Sequence, residues 1–462
     1  MSKHSFHPSV LREYDIRGIV GETLSSRDAY AIGQCFGTIV RDRGGQFVTV
    51  GRDGRLSSEE FEKTLVKGLI EQGLEVGVLG LVPTPALYFS EYFLKSDGAI
   101  MITGSHNPGN HNGFKMSLGK QSFYGEDIKN FACLASLGVS AQGRGFSKPC
   151  FILDDYIDTL ACDFKDNYAS GRPLKIVWDA GNGVAGPSMK SLASRLPGEH
   201  ILLNEVIDGS FPNHHPDPQN PQNLKQLQKT VVENGYDLGI AFDGDGDRLG
   251  AVDEKGGIIW GDQLLLLFAE EVLTHAPKAS IIADVKASQI LFDGVKKLGG
   301  NAIMWRTGHS LIKKKMAEVN AKLGGEMSGH MFFKDRYFGF DDALYAAIRL
   351  IGITSLMSHP LSVWRENLPQ LATTPEVRIE CGDERKFKVI EEVRERLHHA
   401  NANFIDIDGV RVHTKDGWWL LRASNTSAAL IARVEATSQD NLKELESDLK
   451  QNLARSGIEW SE

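Results

Sequence analysis

The sequence is poor in cysteine. Its 462 residues contain five, an odd number, and no two of them have the CxxC spacing of a structural zinc site. A small secreted protein held together by disulfides would need a dense and even set of cysteines, so this class of protein is also excluded. The sparse pattern is typical of a reducing compartment, and we expect a cytoplasmic protein. The five are Cys35, Cys133, Cys150, Cys162 and Cys381.

Long apolar runs and an excess of positive charge are also absent. The longest apolar stretch, LLLLFA at 264–269, is far shorter than the ~20 residues that cross a bilayer, and the N-terminus has no signal-like apolar core. We therefore expect no membrane partner. Lys and Arg number 51 against 60 Asp and Glu, a net charge of −9, whereas proteins that bind a nucleic-acid backbone carry a basic face. This argues against a nucleic-acid partner and leaves a small anionic substrate open.

Strand-like and helix-like segments alternate along most of the chain. A buried strand is predicted at 47–53 and a helix at 57–73, the helix opened by a capping box of Ser57 and Glu60. The alternation restarts near 174 and near 262, which predicts sheets packed against helices. The C-terminal part instead predicts antiparallel strands with an Asp-Gly turn and one closing helix. We expect three α/β domains and a smaller α+β domain, at 1–150, 151–256, 257–368 and 369–462.

The first unusual loop ends an apolar run in DGAIMITGSHNPGNHNGFK, residues 97–115. Ser105 follows a glycine and is predicted to be exposed enough to be modified, and His106 and Lys115 could polarise its partners. A hydroxyl becomes a nucleophile or phosphate carrier only when a neighbour takes its proton or stabilises its ester. An ordinary turn serine beside an Asn-Pro corner is the alternative.

The second loop, AFDGDGDR at 241–248, alternates three aspartates with glycines directly after an apolar strand. The convergence of Asp243, Asp245 and Asp247 would give three hard oxygen ligands without histidine or cysteine, a set that suits Mg²⁺. A calcium EF-hand loop is one alternative, but its sixth position must be glycine and here is Arg248. A solvated acidic turn is the other, although crowding like charges without a cation costs stability. Arg248 would suit a phosphate group.

Two further loops are rich in polar side chains. In LGGEMSGHMFFKD, Glu326, Ser328 and His330 alternate, which suits the recognition of sugar hydroxyls and proton transfer by the imidazole. In LLRASNTSAAL, Arg422 leads a dense cluster of donors that suits a phosphate group. An ordinary surface loop and an ordinary polar turn are the respective alternatives. The donors that follow the arginine are Ser424, Asn425, Thr426 and Ser427.

Two short segments join these loops. EYDIRG contributes Tyr14 and Arg17 near the N-terminus. RTGHS brings a threonine, a glycine and a histidine to a predicted helix start, where backbone N–H groups are unpaired. The lysines at 313–315 that follow are expected to form a solvated helical face rather than a binding patch. The three residues at the helix start are Thr307, Gly308 and His309.

Taken together, these loops resemble the α-D-phosphohexomutase superfamily, in particular its bacterial phosphomannomutase/phosphoglucomutase group. REYDIRG, TGSHNP, FDGDGDR, TGHS, GEMSGH and RASNTS occur in that family's order and cover essentially the whole chain. The resemblance implies three similar α/β domains with mixed sheets and a C-terminal α+β domain around a central cleft. It also implies the reversible interconversion of mannose or glucose 1-phosphate and 6-phosphate, through a phosphoserine and a 1,6-bisphosphate intermediate.

The resemblance assigns roles to individual residues. Ser105 would carry the phosphoryl group, with one Mg²⁺ per chain between its phosphate and Asp243, Asp245 and Asp247. The other catalytic residues that it implies are His106, Lys115, Arg248, His330 and Arg17, with Lys115 and His330 as the candidates for proton transfer. Glu326 and Ser328 would bind the sugar O3 and O4 hydroxyls. Further substrate contacts are implied for Tyr14, Arg17, Lys286, Thr307, Gly308, His309 and His330, and a phosphate cradle for Arg422, Ser424, Asn425 and Thr426.

The resemblance also bounds the substrate and the partners. Phosphoglucosamine mutases usually have Gln before the serine of the sugar loop, so Met327 favours glucose and mannose phosphates. Glucose 1,6-bisphosphate would act as activator and intermediate, small hexose phosphates would be the only partners, and the chain would be a monomer or a weak dimer. The alternatives are a phosphoglucosamine mutase, a metal-dependent phosphatase and a catalytically silent sugar-phosphate sensor.

Overall fold

The computed structural model of the chain describes residues 3–425 and 427–460. Its strands form four sheets. No helix within those ranges has both the length and the apolar composition needed to cross a membrane. The predicted α/β fold with mixed sheets and an α+β C-terminal part is confirmed.

The first sheet has seven strands, β1 (Ile16–Ile19), β2 (Phe47–Arg52), β3 (Glu75–Leu81), β4 (Gly98–Ile102), β5 (His111–Leu118), β6 (Gln121–Ser122) and β7 (Phe146–Pro149). Their order is β1-β5-β4-β2-β3-β7, with β6 paired to β5. Strands β4, β2, β3 and β7 run parallel, and β5 is antiparallel to both β4 and β1. Four helices accompany this sheet: α1 (Ser26–Asp42), α2 (Ser58–Glu71), α3 (Thr84–Phe93) and α4 (Glu126–Leu137).

The second sheet has five strands, β8 (Leu174–Asp179), β9 (Gly198–Leu203), β10 (Leu238–Phe242), β11 (Leu249–Asp253) and β12 (Ile258–Ile259). Their order is β12-β11-β10-β8-β9. The helices are α5 (Leu153–Tyr168), α6 (Gly186–Ala193) and α7 (Lys225–Asn234). A 3₁₀ turn at Pro221–Leu224 precedes α7.

The third sheet has four strands, β13 (Ser280–Asp284), β14 (Asn301–Trp305), β15 (Leu323–Gly325) and β16 (Met331–Phe333), in the order β14-β13-β15-β16. Its helices are α8 (Gly261–His275), α9 (Gln289–Lys297), α10 (His309–Val319), α11 (Ala343–Leu356) and α12 (Leu361–Glu366).

The fourth sheet is antiparallel throughout. Its strands are β17 (Ala372–Thr373), β18 (Val377–Glu380), β19 (Phe404–Ile405), β20 (Val410–His413), β21 (Gly417–Ala423) and β22 (Ala429–Ala436). Helices α13 (Asp383–His399) and α14 (Gln439–Ala454) pack against it.

The first three sheets repeat one arrangement. In each, three parallel strands with the earliest in the middle are followed by a strand antiparallel to the third: β3-β2-β4 then β5, β9-β8-β10 then β11, and β14-β13-β15 then β16. Such repetition places the turn after the third parallel strand at the same corner of every sheet. Three of the four loops singled out in the sequence occupy this turn.

The apolar core divides unequally. One continuous cluster joins the second and third sheets through α5, α8 and α11 and reaches α3, whereas the fourth sheet has a separate cluster with α13 and α14. The strand β12 pairs with β11, so the second sheet extends beyond 256, where we expected the domain to end. The four domain boundaries otherwise stay a prediction.

The predicted capping box at the start of α2 does not form. Ser57 has helical backbone angles and its side chain makes no capping hydrogen bond. Its Oγ instead accepts a hydrogen bond from Asn112 Nδ2 at 2.8 Å, and Glu60 accepts one from the Ser26 hydroxyl. Contacts with other elements therefore replace the local cap that the sequence suggests.

The prediction of a solvated lysine face at 313–315 is wrong for Lys313. Its Nζ donates to Asp341 Oδ1 at 2.7 Å and lies 4.4 Å from the centre of the Tyr88 ring. The residue is only half-buried overall, but its charge is paired with a fully buried carboxylate. The helix α10 thus directs one of its lysines towards the site described next.

Candidate active site

The four loops meet in one buried cluster. Those after β4, β10 and β15 come from the equivalent corners of the first three sheets, and the fourth follows β21. The first two touch so closely that a Cβ at Gly244 would lie 2.4 Å from the Ser105 carbonyl oxygen, which only glycine permits. An isolated bridge between Arg248 and His330 joins the second loop to the third.

Ser105 stands at the centre of the first loop. Its Oγ donates a hydrogen bond to Asp243 Oδ2 at 2.8 Å and lies 3.2 Å from His106 Nδ1. Its backbone is left-handed, with φ 49°, a conformation that non-glycine residues adopt only when their surroundings enforce it. The expectation that Ser105 is exposed is wrong: it is 2% exposed, because the second loop covers it.

Asp243, Asp245 and Asp247 converge as their spacing predicts. Each is 0% exposed, and their ligand atoms lie within 4.8 Å of one another. Burial, followed by the charges of Asp247 and Asp245, raises the pKa of Asp243 well above its usual range. Asp245 Oδ1 is buried without a hydrogen-bond partner among the described residues. A buried set of carboxylates with an unpartnered oxygen fits a hard divalent cation such as Mg²⁺.

Lys115 supplies the positive charge nearest to this triad. Its Nζ donates to Asp245 Oδ2 at 2.7 Å and also to Asp247 Oδ2. Burial alone would lower the pKa of Lys115, but the neighbouring carboxylates outweigh burial and raise it. The ammonium form is therefore stabilised inside the cluster. Thr84, at the start of α3, donates its hydroxyl to Asp245 Oδ2 at 2.6 Å and fixes that carboxylate.

The third loop adds an imidazole held between two acids. His330 Nδ1 lies 2.7 Å from Glu326 Oε2, and Nε2 lies 3.2 Å from Asp247 Oδ1. Burial opposes charge on the ring, but Asp247 and the hydrogen bonds raise the pKa of His330 to about 9. Arg248 Nε lies 3.3 Å from His330 Nε2, and Ser328 Oγ lies 3.2 Å from Nδ1.

The start of α10 joins the site through Glu326 and Tyr14. Gly308 N donates to Glu326 Oε1 at 2.7 Å, and the Tyr14 hydroxyl donates to the Thr307 carbonyl at 2.6 Å. Gly308 has φ 135°, and a Cβ there would lie 2.4 Å from the Tyr14 ring, so no other residue fits. His309 Nδ1 lies 3.2 Å from Asp341 Oδ2.

The fourth loop is held against the rest by a chain of contacts. Arg422 Nε donates to Asp408 Oδ2 at 2.9 Å, and Asn425 Nδ2 donates to the Tyr14 hydroxyl at 2.5 Å. Lys386, from α13, donates to the Ser424 carbonyl at 2.7 Å. The Ser427 carbonyl accepts from the same Nζ at 2.9 Å. Thr426, expected in the same cradle, lies outside the described residues.

Arg17 and Lys286 lie at opposite sides of the cluster. Arg17 Nη1 donates to Asn107 Oδ1 at 3.0 Å and Nη2 donates to Asp15, which ties the N-terminal segment to the first loop. Lys286 Nζ donates to Glu376 Oε2 at 2.9 Å across the third and fourth sheets. The structure therefore gathers the described residues of the expected site around the four loops, with some of them supplied by the N-terminal segment, β5, the segment after β13 and the start of α10.

Five residues of the site were missed by sequence reasoning. Their contacts reach other elements, and no short motif marks most of them. The one available signal is the Asp and Arg of GRDGR at 51–55, which follow a buried strand, because functional side chains of α/β sheets gather at strand ends. The five are Arg55, Thr84, Asp341, Lys386 and Asp408.

Comparisons with known proteins agree with this geometry. The chain matches the family models described as phosphoglucomutase/phosphomannomutase alpha/beta/alpha domains I, II and III at residues 9–130, 154–257 and 260–371. The model of the C-terminal domain of the same family matches residues 376–451. The matches follow the order of the four sheets.

Several similar proteins are named after the same chemistry. A phosphomannomutase/phosphoglucomutase of Pseudomonas aeruginosa is 43% identical over 445 residues, 96% of this chain and 95% of that protein. A phosphoglucomutase of Neisseria gonorrhoeae is 42% identical over 445 residues, 96% of each chain. A solved phosphoglucomutase/phosphomannomutase family protein from Burkholderia thailandensis superposes with a TM-score of 0.91 at 41% identity, covering 98% of both chains. The chain therefore belongs to the phosphoglucomutase/phosphomannomutase family of α-D-phosphohexomutases, and it is an intramolecular phosphotransferase of the isomerase class.

Proposed function

We propose that this enzyme interconverts the 1-phosphates and 6-phosphates of both glucose and mannose, with Ser105 as the phosphoryl carrier. The observation that carries the proposal is the 2.8 Å hydrogen bond from Ser105 Oγ to Asp243 Oδ2, inside a buried cluster that also holds Lys115. A hydroxyl so placed can carry a phosphoryl group whose charge Lys115 and a metal ion held by the aspartates would neutralise. The Pseudomonas relative is named for both sugars and the Neisseria relative for glucose, which supports the choice of substrates.

One Mg²⁺ per chain would be held by Asp243, Asp245 and Asp247 together with the phosphate on Ser105. When bound, the ion neutralises charge on the phosphoryl oxygens during transfer. Asp243 would then lose the hydrogen bond that it accepts from the unmodified serine, and Arg248 would lie beside the phosphate.

The protein's own residues position the substrate and move protons. Phospho-Ser105 gives its phosphoryl group to the free hydroxyl of the bound monophosphate, and the other phosphate of the resulting bisphosphate returns to Ser105. Lys115 and His330 would move the protons: one, in its acid form, protonates the departing Ser105 oxygen, and the other, in its neutral form, accepts the proton of the attacking sugar hydroxyl. The neighbouring carboxylates raise the pKa of both groups and so favour the form that donates. His106, 3.2 Å from Ser105 Oγ, and Arg17 complete this group.

Substrate recognition falls on parts of the sugar that look alike in both orientations. Glu326 and Ser328 bind the O3 and O4 hydroxyls, and Arg422, Ser424, Asn425 and Thr426 hold the phosphate that is not reacting. Tyr14, Lys286, Thr307, Gly308 and His309 line the same cleft. A site that does not contact C2 accepts either configuration there, so we expect dual specificity.

A coupled mutase assay tests this proposal. The protein is supplied with Mg²⁺, a catalytic amount of glucose 1,6-bisphosphate as activator, and either glucose 1-phosphate or mannose 1-phosphate. We expect turnover of both, and glucosamine 1-phosphate serves as the comparison substrate for the phosphoglucosamine mutase alternative. A preference between glucose and mannose above about a thousandfold would contradict dual specificity, since one rejected hydroxyl configuration accounts for such a factor.

Intact-mass spectrometry tests the carrier directly. Incubation with the bisphosphate should add ~80 Da, the mass of one phosphoryl group, at Ser105. The Ser105→Ala variant should neither gain this mass nor turn over substrate. Steady release of inorganic phosphate without bisphosphate would instead support a phosphatase, and tight binding of hexose phosphate without turnover would support a sensor. Whether the enzyme is a cytoplasmic monomer or a weak dimer stays a prediction.

A further inference from the structure

The loop that carries Ser105 has a conformation that contacts from other segments reinforce. Ser105 has φ 49°, and the loop from 103 to 110 connects two antiparallel strands through two tight turns, closed by hydrogen bonds from Asn107 N to the Gly104 carbonyl and from His111 N to the Pro108 carbonyl, each 2.9 Å. A side chain in the left-handed region persists only where surrounding contacts enforce it. Within the loop, the Thr103 hydroxyl also accepts a hydrogen bond from Ser105 N at 2.8 Å, and further contacts come from outside the loop.

Arg55 makes several of those outside contacts. It follows β2, the parallel neighbour of β4, and its side chain is 0% exposed. Its Nη2 donates to the Ser105 carbonyl at 2.8 Å and also to the Asn107 carbonyl. Its Nη1 donates to the His111 carbonyl at 3.0 Å and also to the Pro108 carbonyl. One guanidinium therefore binds three carbonyl oxygens of the loop and a fourth at the start of β5, a use of its planar fork that lysine cannot reproduce.

Asp53 holds the loop from the other side, and together Arg55 and Asp53 form what we call the clamp. Its Oδ2 lies 3.2 Å from Arg55 Nε and accepts a hydrogen bond from Gly104 N at 3.0 Å. Its Oδ1 accepts from the Ser58 hydroxyl at 2.6 Å, which ties the pair to the start of α2. The fit is close: a Cβ at Gly104 would lie 2.4 Å from the Arg55 guanidinium. One ion pair thus holds the backbone on both sides of the Gly104–Ser105 peptide bond: Asp53 binds Gly104 N, and Arg55 binds the Ser105 carbonyl.

The guanidinium lies behind the loop rather than in the reaction space. Each hydrogen bond described for it reaches a backbone carbonyl or Asp53, and the Ser105 side chain points the other way, to Asp243. Phe211, from the segment after β9, covers the guanidinium with its ring centre 5.3 Å away. Arg55 therefore touches neither the metal triad nor the residues expected to hold the sugar.

We propose that Arg55 is a positioning residue for phosphoryl transfer: by binding the carbonyls of residues 105, 107, 108 and 111 it holds Ser105 in its left-handed conformation, with Oγ aimed at Asp243. This inference rests on the proposed role of Ser105 as carrier. It assigns to Arg55 an effect on the rate of transfer to and from Ser105, and little effect on the binding of hexose phosphate, which other loops hold.

The test compares Arg55→Ala and Arg55→Lys with wild type in full-length protein. We expect kcat for glucose 1-phosphate to fall about 100-fold in Arg55→Ala, the scale of loss from misplacing a reacting atom by about 1 Å, with KM changed less than about threefold. The rate at which Ser105 gains its phosphoryl group from glucose 1,6-bisphosphate, followed by intact mass, should fall by the same factor. Arg52→Ala is the matched control, since Arg52, at the end of β2, is three positions before Arg55 and pairs with Glu62 instead.

Chemical rescue separates positioning from general stability. Millimolar guanidinium chloride should restore part of the kcat of Arg55→Ala, because the ion fits the space left by the side chain and carries the same donors. Urea, which has a similar shape but no charge, should restore less, and neither should raise kcat in wild type or in Arg52→Ala. Arg55→Lys should keep the charge but lose the fork, and should show intermediate kcat with unchanged KM.

The outcomes are distinguishable. Wild type that fails to phosphorylate Ser105 or to turn over substrate overturns the proposed function itself. Active wild type with an Arg55→Ala variant of unchanged kcat overturns only the role of Arg55. A rise in KM equal to the fall in kcat, or a loss of activity in both variants that follows a loss of circular dichroism signal and is not rescued by guanidinium, also overturns it in favour of a purely structural role.

Discussion

The active site buries several charged side chains, and burial of any one of them without its neighbours would cost much free energy. The three aspartates of the second loop are fully buried, and the lysine that reaches them comes from a different sheet. Each charge is stabilised only by the others, because burial without a partner is costly for any ionised group. Removal of one member therefore affects the whole cluster.

Asp245→Asn is expected to separate metal binding from substrate binding. It removes the charge next to Lys115 and the oxygen that has no partner among the described residues, so Mg²⁺ affinity should fall and kcat should fall by about 100-fold or more. KM for glucose 1-phosphate should change less than about threefold, because the phosphate cradle lies in another loop. Mg²⁺ titration of the mutase rate measures both. Asp166→Asn, an exposed change on α5, is the control, and a KM effect as large as the kcat effect would contradict the separation.

Glu91 is expected to make stability depend on pH. Burial raises the pKa of this carboxyl to about 7, against the hydrogen bonds that it accepts from the Ser117 hydroxyl and the Lys120 amide. Its folded pKa is thus above its unfolded value, so the stability that it contributes is complete below about pH 4.5 and is lost as the pH rises through 7. A shift from 4.5 to about 7 corresponds to about 3 kcal/mol at most.

Urea denaturation at pH 5 and at pH 8 measures this effect. Wild type should lose more free energy of unfolding between the two pH values than Glu91→Gln, which keeps the shape and cannot ionise. Since other titrating groups are common to both proteins, the difference between the two losses belongs to Glu91. Equal losses in the two proteins would show that the carboxyl does not titrate in this range.

The sequence predicts active-site residues well where the chemistry is local. Asp243, Asp245 and Asp247 share one turn, so their spacing alone indicates convergence. Arg55 could not be found in this way, because its contact with Ser105 spans 50 positions and depends on which strands become neighbours. The burial of Ser105 was missed for the same reason, since the loop that covers it begins at Asp243.

At the scale of elements, equivalent turns in three sheets supply Ser105, the three converging aspartates and the loop that holds Glu326 and Ser328. The alternation of strands and helices predicts these sheets, because its period is visible in the chain. It does not predict that a fourth strand runs antiparallel in each sheet, since pairing direction follows from tertiary packing. The missed capping pattern at Ser57 has a similar cause, because Asn112 from β5 engages that hydroxyl instead.

Lys386 is expected to control the conformation of the phosphate loop from α13. Its buried Nζ donates to the carbonyls of Ser424 and Ser427, so Lys386→Met should loosen the loop while preserving most of the side-chain volume. We expect KM for glucose 1-phosphate to rise about 10-fold with kcat changed less than about threefold. Steady-state kinetics measures this, with the exposed Lys388→Met on the same helix as control. A fall in kcat alone would place Lys386 in the transfer step.

At the scale of the whole molecule, the fourth sheet has an apolar core of its own, distinct from the cluster that joins the second and third sheets. A small apolar cluster of Val285, Trp418 and Leu420 attaches it to the third sheet, and polar contacts add to this attachment. The Tyr14 hydroxyl is one of these contacts, because it touches the Thr307 carbonyl and the Asn425 amide at once. This tyrosine connects the N-terminal segment with the start of α10 and with the fourth loop.

Tyr14→Phe should therefore weaken closure of the cleft. In wild type, glucose 1-phosphate is expected to slow amide hydrogen exchange in residues 369–460, because ligand draws the fourth sheet towards the others. The protection should be smaller in Tyr14→Phe, and KM should rise by about 5- to 10-fold, the scale of one or two lost hydrogen bonds. Exchange mass spectrometry measures the first, with Tyr236→Phe in the second sheet region as control. Equal amide hydrogen exchange in wild type with and without glucose 1-phosphate would contradict a hinged fourth domain.

The depth of Ser105 has a consequence for how the enzyme is regulated. A protein kinase or phosphatase must draw an extended segment of its target into its own cleft, and a serine that is 2% exposed on a loop pinned by Arg55 offers no such segment. An ester on Ser105, as proposed above, would then be formed and removed by small molecules that enter between the four sheets. The fraction of enzyme that carries it would follow the recent supply of sugar bisphosphate rather than the activity of kinases or phosphatases.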